Sequence, residues 1–448
     1  MSDTIFAPSS GAGRAGVTVM RISGPHAALA LERLTGRPLP EPRRATLAAL
    51  YDPESGELLD RGLVLWFPGP ASFTGEDLAE FQVHGSRAVV DAMLQTLARL
   101  PGCAPAEPGA FTRRAFDAGK LDLTEVEGLA DLIAAETAVQ RRQALRQLDG
   151  GLSERIADWQ ARLARHLAYL EAAIDFPDEE LPSNVELEAL SNIFGLRAEM
   201  AQHIAVAPLG ERLREGLEIA IVGPPNAGKS SLLNALAQRD VAIVAETAGT
   251  TRDVIEVRLD LGGYPVTLAD TAGLRAAGDA ALDPVEMEGI RRSRARAEAA
   301  DLKLMIFDAT DVPDPAVLTL ADADTLLCWN KIDLLQDLPP TLPRLPTLAT
   351  LALSTKSGAG LSELVSRLTE TVEARFAVAG AAPLLTRARH RRAVEDAVLA
   401  LDRAAEAELP ELTAEDLRLA LRALGRVAGQ VDVEDLLDVI FREFCIGK

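Results

Sequence analysis

The sequence is poor in cysteine, in lysine and in long apolar runs, and each shortage excludes something. Only three cysteines, Cys103, Cys328 and Cys445, are spread over 448 residues. That fits neither a disulfide framework nor a clustered metal site. No stretch of about 18 apolar residues occurs, so no membrane-spanning helix is expected. The opening MSDTIFAPSSGAGRAGV lacks a basic segment followed by an apolar one, so no secretory signal is expected either. The chain reads as cytoplasmic and reduced. Positive charge is also short, with 46 basic against 67 acidic residues and a formal net charge of −21. Such a molecule repels nucleic acid at long range, which argues against a protein that coats DNA by counterion release. RNA would be met only through a local basic surface or a partner. Candidate surfaces are Arg141, Arg142 and Arg146, then Arg291, Arg292, Arg294 and Arg296, then Arg387, Arg389, Arg391 and Arg392. Each cluster also reads as a solvated helix face, and more readily so.

What is present is an ordinary globular balance, 48% apolar and 25% charged with 33 Gly and 26 Pro. It excludes a disordered or collagen-like chain and predicts about three domains. Residues 1–118 mix β-type runs at 17–22 and 62–67 with helical stretches, one predicted over 86–100 and stopped by Pro101-Gly102. Residues 119–213 turn helical. Leu145, Leu148, Leu152, Ile156, Trp159, Leu163, Leu167, Leu170 and Ile174 recur at the spacing of one helix face. Gly150-Gly151 should break that run, and 176–178 should end it. Residues 214–375 alternate β-type and helical runs, the pattern of a parallel sheet wrapped by helices. Residues 376–448 are helical again, with Thr413 and Asp432 as expected N-caps. The fold class is therefore α/β plus α, multidomain. The two helical stretches could pack together, with the nucleotide domain inserted between them.

The chemistry concentrates in the alternating block. A buried-type strand over 217–222 runs straight into Gly223-Pro224-Pro225-Asn226-Ala227-Gly228-Lys229-Ser230, and a helix opens at Ser231. This is G-x-x-x-x-G-K-[ST] in its required strand-to-helix setting. Loop N–H groups there cradle phosphates, Lys229 reaches the terminal ones, and Ser230 ligates Mg²⁺. Asp270-Thr271-Ala272-Gly273 follows a strand over 266–269, which places a carboxylate near Mg²⁺ and a backbone amide near the γ-phosphate. Asn330-Lys331-Ile332-Asp333 follows another apolar strand. Asp333 can accept both N–H donors of guanine, which adenine does not offer. Ser354-Thr355-Lys356 matches the last guanine-contacting loop. Together these select GTP. Only six of the 46 basic residues are lysine, namely Lys120, Lys229, Lys303, Lys331, Lys356 and Lys448. Three of them fall inside these motifs, where a compact ammonium is needed and a planar guanidinium will not fit. The position after the DxxG run is Leu274, which cannot orient water as the Ras glutamine does. Arg275, Glu286 and Glu288 are the nearby alternatives, each also readable as a surface helix residue.

Gly249-Thr250-Thr251-Arg252-Asp253, Asp270-Thr271-Ala272-Gly273-Leu274-Arg275, Gly75-Glu76-Asp77 with His84-Gly85, and the terminal Phe444-Cys445-Ile446-Gly447-Lys448 strongly resemble the MnmE (TrmE) family of tRNA-modification GTPases. The resemblance spans the chain. It implies a folate-binding α/β N-terminal domain, a discontinuous helical domain, an inserted Ras-like P-loop G domain, and a homodimer through the N-terminal domains. It also implies an FAD-dependent partner, MnmG (GidA), forming a heterotetramer, and a one-carbon unit from a tetrahydrofolate derivative placed at carbon 5 of the wobble uridine of certain tRNAs. Carried over by residue, Arg21, Glu80, Lys120 and Lys448 are folate contacts. Asn226 with Ala245, Thr247 and Thr250 holds K⁺, Thr251 joins Ser230 on Mg²⁺, and Glu286 orients water. Cys445 stands either as a reactive thiol or as an inert terminal cysteine. Two other functions share parts of the pattern. A ribosome-assembly switch binding rRNA would carry the same nucleotide motifs, but usually with a basic RNA-binding face. A folate-dependent aminomethyl transferase acting on protein would leave the G domain without a purpose.

Overall fold

The computed structural model describes residues 4–11, 13–175, 184–243, 256–270, 291, 294–335, 347–377, 385–431, 437, 440, 441, 444 and 447. The chain forms two compact units, one of Met1–Ala130, Arg146–Ala189 and Leu399–Lys448, the other of Asp131–Leu145 and Leu190–Val398.

The first unit holds a six-stranded sheet of β1 (Thr4–Pro8), β2 (Ala15–Ser23), β3 (Thr46–Tyr51), β4 (Leu58–Phe67), β5 (Leu78–Gly85) and β6 (Cys103–Pro105), in the order β3-β4-β5-β2-β1-β6. Its strands are antiparallel apart from β1 and β6. Alternation in β2 buries Met20 and Ile22 and turns Arg21 to the other side. The helices α1 (Ala27–Thr35) and α2 (Arg87–Arg99) cover the apolar face. There Phe6, Met20, Ile22, Leu31, Trp66, Phe81 and Leu97 share one core, each worth about 1.5–3 kcal/mol on burial. Ser86 caps α2 by accepting the Val89 N–H. On the opposite face α3 (Ala110–Asp117) sets Phe111 against Ile5 and Ala7.

Three helices follow, α4 (Leu123–Ala134), α5 (Ala138–Leu148) and α6 (Gly151–Asp175). Gly150, at φ 88°, makes the break between α5 and α6. That break also resets the helix phase, so the single apolar face expected from Leu145 onward does not hold. Leu145 is exposed, and α5 buries Gln143, Ala144 and Gln147. From Leu152 through Ile156, Trp159 and Leu163 the face is buried, and α6 packs on the helix Pro410–Ala428. That helix starts three residues before its expected cap. Leu409 is extended, Pro410 supplies the first-turn φ, and the Thr413 hydroxyl donates back to the Leu409 carbonyl at 3.3 Å. The expected stop at 176–178 and the expected cap Asp432 lie outside the described residues.

The second unit carries the alternating block. After α7 (Asn184–Glu215) come β7 (Leu217–Val222), α8 (Lys229–Ala237), β8 (Glu256–Leu261), β9 (Tyr264–Asp270), β10 (Leu302–Asp308), β11 (Thr325–Asn330) and β12 (Ala349–Ala352). The sheet order is β12-β11-β10-β7-β9-β8, parallel apart from β8. Ile219 and Ile221 pack on α8 and the helix Leu361–Ala377, while Ala220 and Val222 join Met305, Phe307 and Trp329 on the other face. Cys328, fully buried in β11, has its thiol pushed up to about 12 by burial, so it is inert. Several arginines of the expected basic surfaces have acidic partners. Arg296 meets Glu218 and Glu256, Arg294 meets Glu298, Arg387 meets Asp131, and Arg391 meets Glu211. Among the described residues no helix is long and apolar enough to cross a membrane.

Candidate functional site

The loop from β7 to α8 has Asn226 and Gly228 in left-handed conformation, at φ 64° and 100°. A Cβ on Gly228 would lie 2.2 Å from Asn330 Nδ2, and one on Gly223 would lie 2.3 Å from the Ile306 carbonyl oxygen. Both glycines of the motif are therefore required by close approach of neighbouring chain. Lys229, the first residue of α8, is buried, and its Nζ donates to the carbonyls of Gly223 (3.0 Å) and Pro224 (2.9 Å). Burial pushes this ammonium below the ordinary lysine range, with the Asp270 carboxylate pulling the other way. An anion arriving at the loop would relieve that desolvation. Ser230 Oγ donates to Asp270 Oδ2 at 3.0 Å, while Asp270 Oδ1 is buried with no hydrogen-bond partner among the described residues. An unpaired buried carboxylate oxygen beside a hydroxyl is an all-oxygen donor set of the kind that suits Mg²⁺. Asn226 and Ser231 are exposed beside it.

Asn330 ends β11 with its side chain wholly buried. Its Nδ2 donates to the Ala227 carbonyl (2.8 Å) and its Oδ1 accepts the Thr355 N–H (3.1 Å), tying the phosphate loop to the loop after β12. Lys331, at φ 65°, reaches Asp308 Oδ2 at 2.7 Å. Burial alone would raise the Asp308 carboxyl, but the Lys331 ammonium and the Thr310 amide and hydroxyl hold it below the usual carboxylate range. Asp333, exposed in the turn Ile332–Leu334, accepts the Ser354 hydroxyl at 2.6 Å. Its carboxylate is thus oriented at the surface beside the phosphate loop, where a base with two adjacent N–H donors can meet it. Lys303, in no motif, is nearly buried and paired with Asp322 at the start of β10.

A second polar cluster lies on the face of the first unit's sheet opposite α1 and α2, beside α3. Arg21 on β2 stands opposite Glu80 on β5, and both its Nε (3.1 Å) and Nη2 (2.9 Å) donate to Glu80 Oε1. Its guanidinium also faces the rings of Phe73 and Phe111 at 5.5 and 5.8 Å. Nearby, Ser23 bonds Thr74 and Glu76, and Arg114 donates to Glu76 (2.6 Å) and to the Ser23 carbonyl (3.1 Å). Gly75, at φ 78°, lies against Ala118 and Lys120: a Cβ there would sit 3.0 Å from Ala118 Cβ and 3.7 Å from Lys120 Cε. The Gly447 carbonyl accepts the Ser9 hydroxyl at 2.8 Å, and a Cβ on Gly447 would lie 2.0 Å from the Pro8 carbonyl oxygen. Pro8 follows Ala7, the β1 partner of Arg21, so the tail reaches the same part of the sheet. Sequence reasoning missed Ser23 and Arg114, which have no motif around them, and Thr74, which directly precedes the Gly75-Glu76-Asp77 stretch. Glu76 was part of a noted stretch without a role.

Thr271, Ala272, Gly273, Ala245, Thr247, Thr250, Thr251, Glu286, Cys445 and Lys448 lie outside the described residues, as do Leu274, Arg275 and Glu288.

Comparison with known proteins gives a consistent set of likenesses. A family model described as the TrmE N-terminus of a GTP-binding protein matches residues 4–120, and one described as the MnmE helical domain matches residues 123–445. The chain is 55% identical to the tRNA modification GTPase MnmE of Paramagnetospirillum magneticum and 54% identical to that of Parvibaculum lavamentivorans, over the full length of each. It is 49% identical to the mitochondrial 5-taurinomethyluridine-[tRNA] synthase subunit GTPB3 of Danio rerio, over all of this chain and 93% of that one.

Proposed function

The chain belongs to the MnmE (TrmE) family of tRNA modification GTPases, and from that premise we propose how its two polar clusters divide the work. It is a GTPase taking part in tRNA modification. The observation that most supports a guanine nucleotide is the pair formed by buried Asn330, which joins the phosphate loop to the Ser354 loop, and Asp333, held by Ser354 at the surface. Loop amides and Lys229 bind the triphosphate, with Lys229 Nζ turning from the Gly223 and Pro224 carbonyls to the terminal phosphates. Ser230 and Thr251 would hold Mg²⁺ beside Asp270. Asn226 and the 245–250 loop, through Ala245, Thr247 and Thr250, would hold K⁺, and these cations neutralise charge on the phosphates. Glu286 is assigned the orientation of water.

On the sheet of the first unit, Arg21, Glu80, Lys120 and Lys448 bind a tetrahydrofolate derivative, its anionic glutamate suited to the cations. Cys445 is a candidate reactive thiol. The chain acts in the cytoplasm as a homodimer with the FAD-dependent MnmG in a heterotetramer. It supplies a one-carbon unit to carbon 5 of the wobble uridine of certain tRNAs, and pairing of the two G domains on GTP gates that chemistry.

Calorimetry with GTP and ATP tests the base of this reading. Two charge-assisted hydrogen bonds from guanine to Asp333 predict at least about a 100-fold preference for GTP, which Asp333→Asn should abolish. Equal binding of the two nucleotides by the unaltered chain would overturn it.

A further inference from the structure

Neither cluster uses His84, although it ends the same stretch that carries Glu80. It lies four residues beyond Glu80 on β5, about 13 Å further along the strand and on the same side of the pleat. Its side chain is 70% exposed yet firmly held. Nδ1 lies 2.8 Å from Asp60 Oδ1, and the His84 backbone N–H donates to Asp60 Oδ2 at 2.8 Å. One carboxylate of β4 therefore grips the residue at two points and fixes the plane of the imidazole. Burial would raise the Asp60 carboxyl, but hydrogen bonds from the His84 amide, its ring and the Arg61 amide hold it below the usual range. With Asp60 ionised, Nδ1 carries the ring proton and Nε2 is left facing solvent. A carboxylate that only closed the end of a strand would need the amide alone. An imidazole gripped on one nitrogen and open on the other is the arrangement used for proton transfer.

We propose that His84, positioned by Asp60, is the general acid of the folate-dependent step, an assignment that rests on the folate reading of the Arg21–Glu80 face. As the one-carbon unit leaves, its bond to a folate nitrogen breaks and the electron pair stays on that nitrogen. His84 Nε2, protonated from water, delivers the proton that this nitrogen takes up. The incoming nucleophile, carbon 5 of the wobble uridine, forms the new bond to the carbon and releases its own proton to solvent. No electrons are gained or lost, and the exposed imidazole is reprotonated by water.

The test is wobble-uridine modification by the full chain with its flavin-dependent partner and tRNA, comparing His84→Ala and Asp60→Asn with the unaltered chain. Tetrahydrofolate binding is measured by calorimetry alongside, and circular dichroism with a thermal melt of the full chain reports whether each variant has folded. His84→Ala should lower the modification rate by about 100-fold, keep tetrahydrofolate affinity within about twofold, and regain at least about tenfold when free imidazole is added. Asp60→Asn should lose less and gain nothing from imidazole. Should His84→Ala fail to fold, His84→Gln takes its place in the same comparison. An unchanged rate overturns the assignment, as does a loss that imidazole leaves in place. A loss matched by weaker tetrahydrofolate binding also overturns it, making His84 a binding residue. Failure of the unaltered chain to bind tetrahydrofolate would bring down the folate reading itself, an outcome visible before any variant is made.

Discussion

The two sheets treat polar residues in opposite ways. In the parallel-rich sheet β10 and β11 bury nearly every side chain and β7 all but Glu218, so polar chemistry appears where strands stop. Asp270, Asp308 and Asn330 are the last residues of β9, β10 and β11, and the phosphate loop follows β7. In the antiparallel sheet only one face carries the α1 and α2 core, and Arg21 meets Glu80 in mid-strand on the other. A sheet covered on both faces offers its carboxyl edge to a ligand; a sheet whose second face is only partly covered, here by α3 on Ile5 and Ala7, offers the rest of that face. The nucleotide site is therefore built from loops that follow strands, and the second site from alternate residues within strands.

The sharpest way to break this contrast is Lys229→Ala. The ammonium is buried against two carbonyls at the strand edge. Losing two or more charge-assisted bonds to phosphate should weaken GTP binding by about 100-fold or more. Tetrahydrofolate binding should stay as it was, both read by calorimetry. Loss of both affinities together would show that the two sites are not separate devices.

The same contrast explains what could be read from the residues alone. The edge site is local: a glycine turn, its lysine and its serine are contiguous, and Asn330 and Asp333 are three apart, so spacing encodes geometry. Strand type followed from β-rich runs bounded by Gly and Pro, as at 17–22, and helix type from apolar period, as from Leu152 to Leu163. The face site has no such code. Arg21, Glu80, Arg114 and Gly447 come from four distant parts of the chain and meet only once β2 pairs with β5 and the tail folds back. Likewise Thr413 looked like a cap because its side chain can accept an amide, yet Pro410 had already fixed the first turn. The ion pairs that occupy Arg296, Arg387 and Arg391 were equally invisible, since Arg391 and Glu211 are 180 residues apart.

A smaller effect tests the face. Glu80→Gln leaves the Arg21 guanidinium, 20% exposed, without its carboxylate while keeping the shape. Tetrahydrofolate binding should weaken by about tenfold, the cost of roughly one charge-assisted bond, and GTP binding should be untouched. Arg21→Lys should do similar harm, because an ammonium keeps the charge but loses the fork to Glu80 and the stacking on Phe73 and Phe111. A fully active Arg21→Lys variant would mean that charge alone matters there, and that face would be no more than an attractive surface.

The smallest effect is one of pH, and it separates the two sheets by what each carboxylate supports. Asp308 and Asp60 are both held below the usual carboxylate range in the folded chain. For such a group the unfolded chain binds the proton first, so the stabilisation is complete above the unfolded value, near pH 4, and fades as pH falls through the lower folded value. Asp308→Asn and Asp60→Asn should each flatten the acid side of a melting-temperature profile below about pH 4, by a degree or two given partial exposure. At neutral pH the two diverge. Asp308 anchors Lys331 at the carboxyl edge, so its variant should bind GTP several-fold more weakly. Asp60 serves His84 in the other sheet, so its variant should bind GTP normally. If Asp308→Asn left GTP affinity unchanged, the Lys331–Asp308 pair would be a strand-end clamp and no part of the edge site.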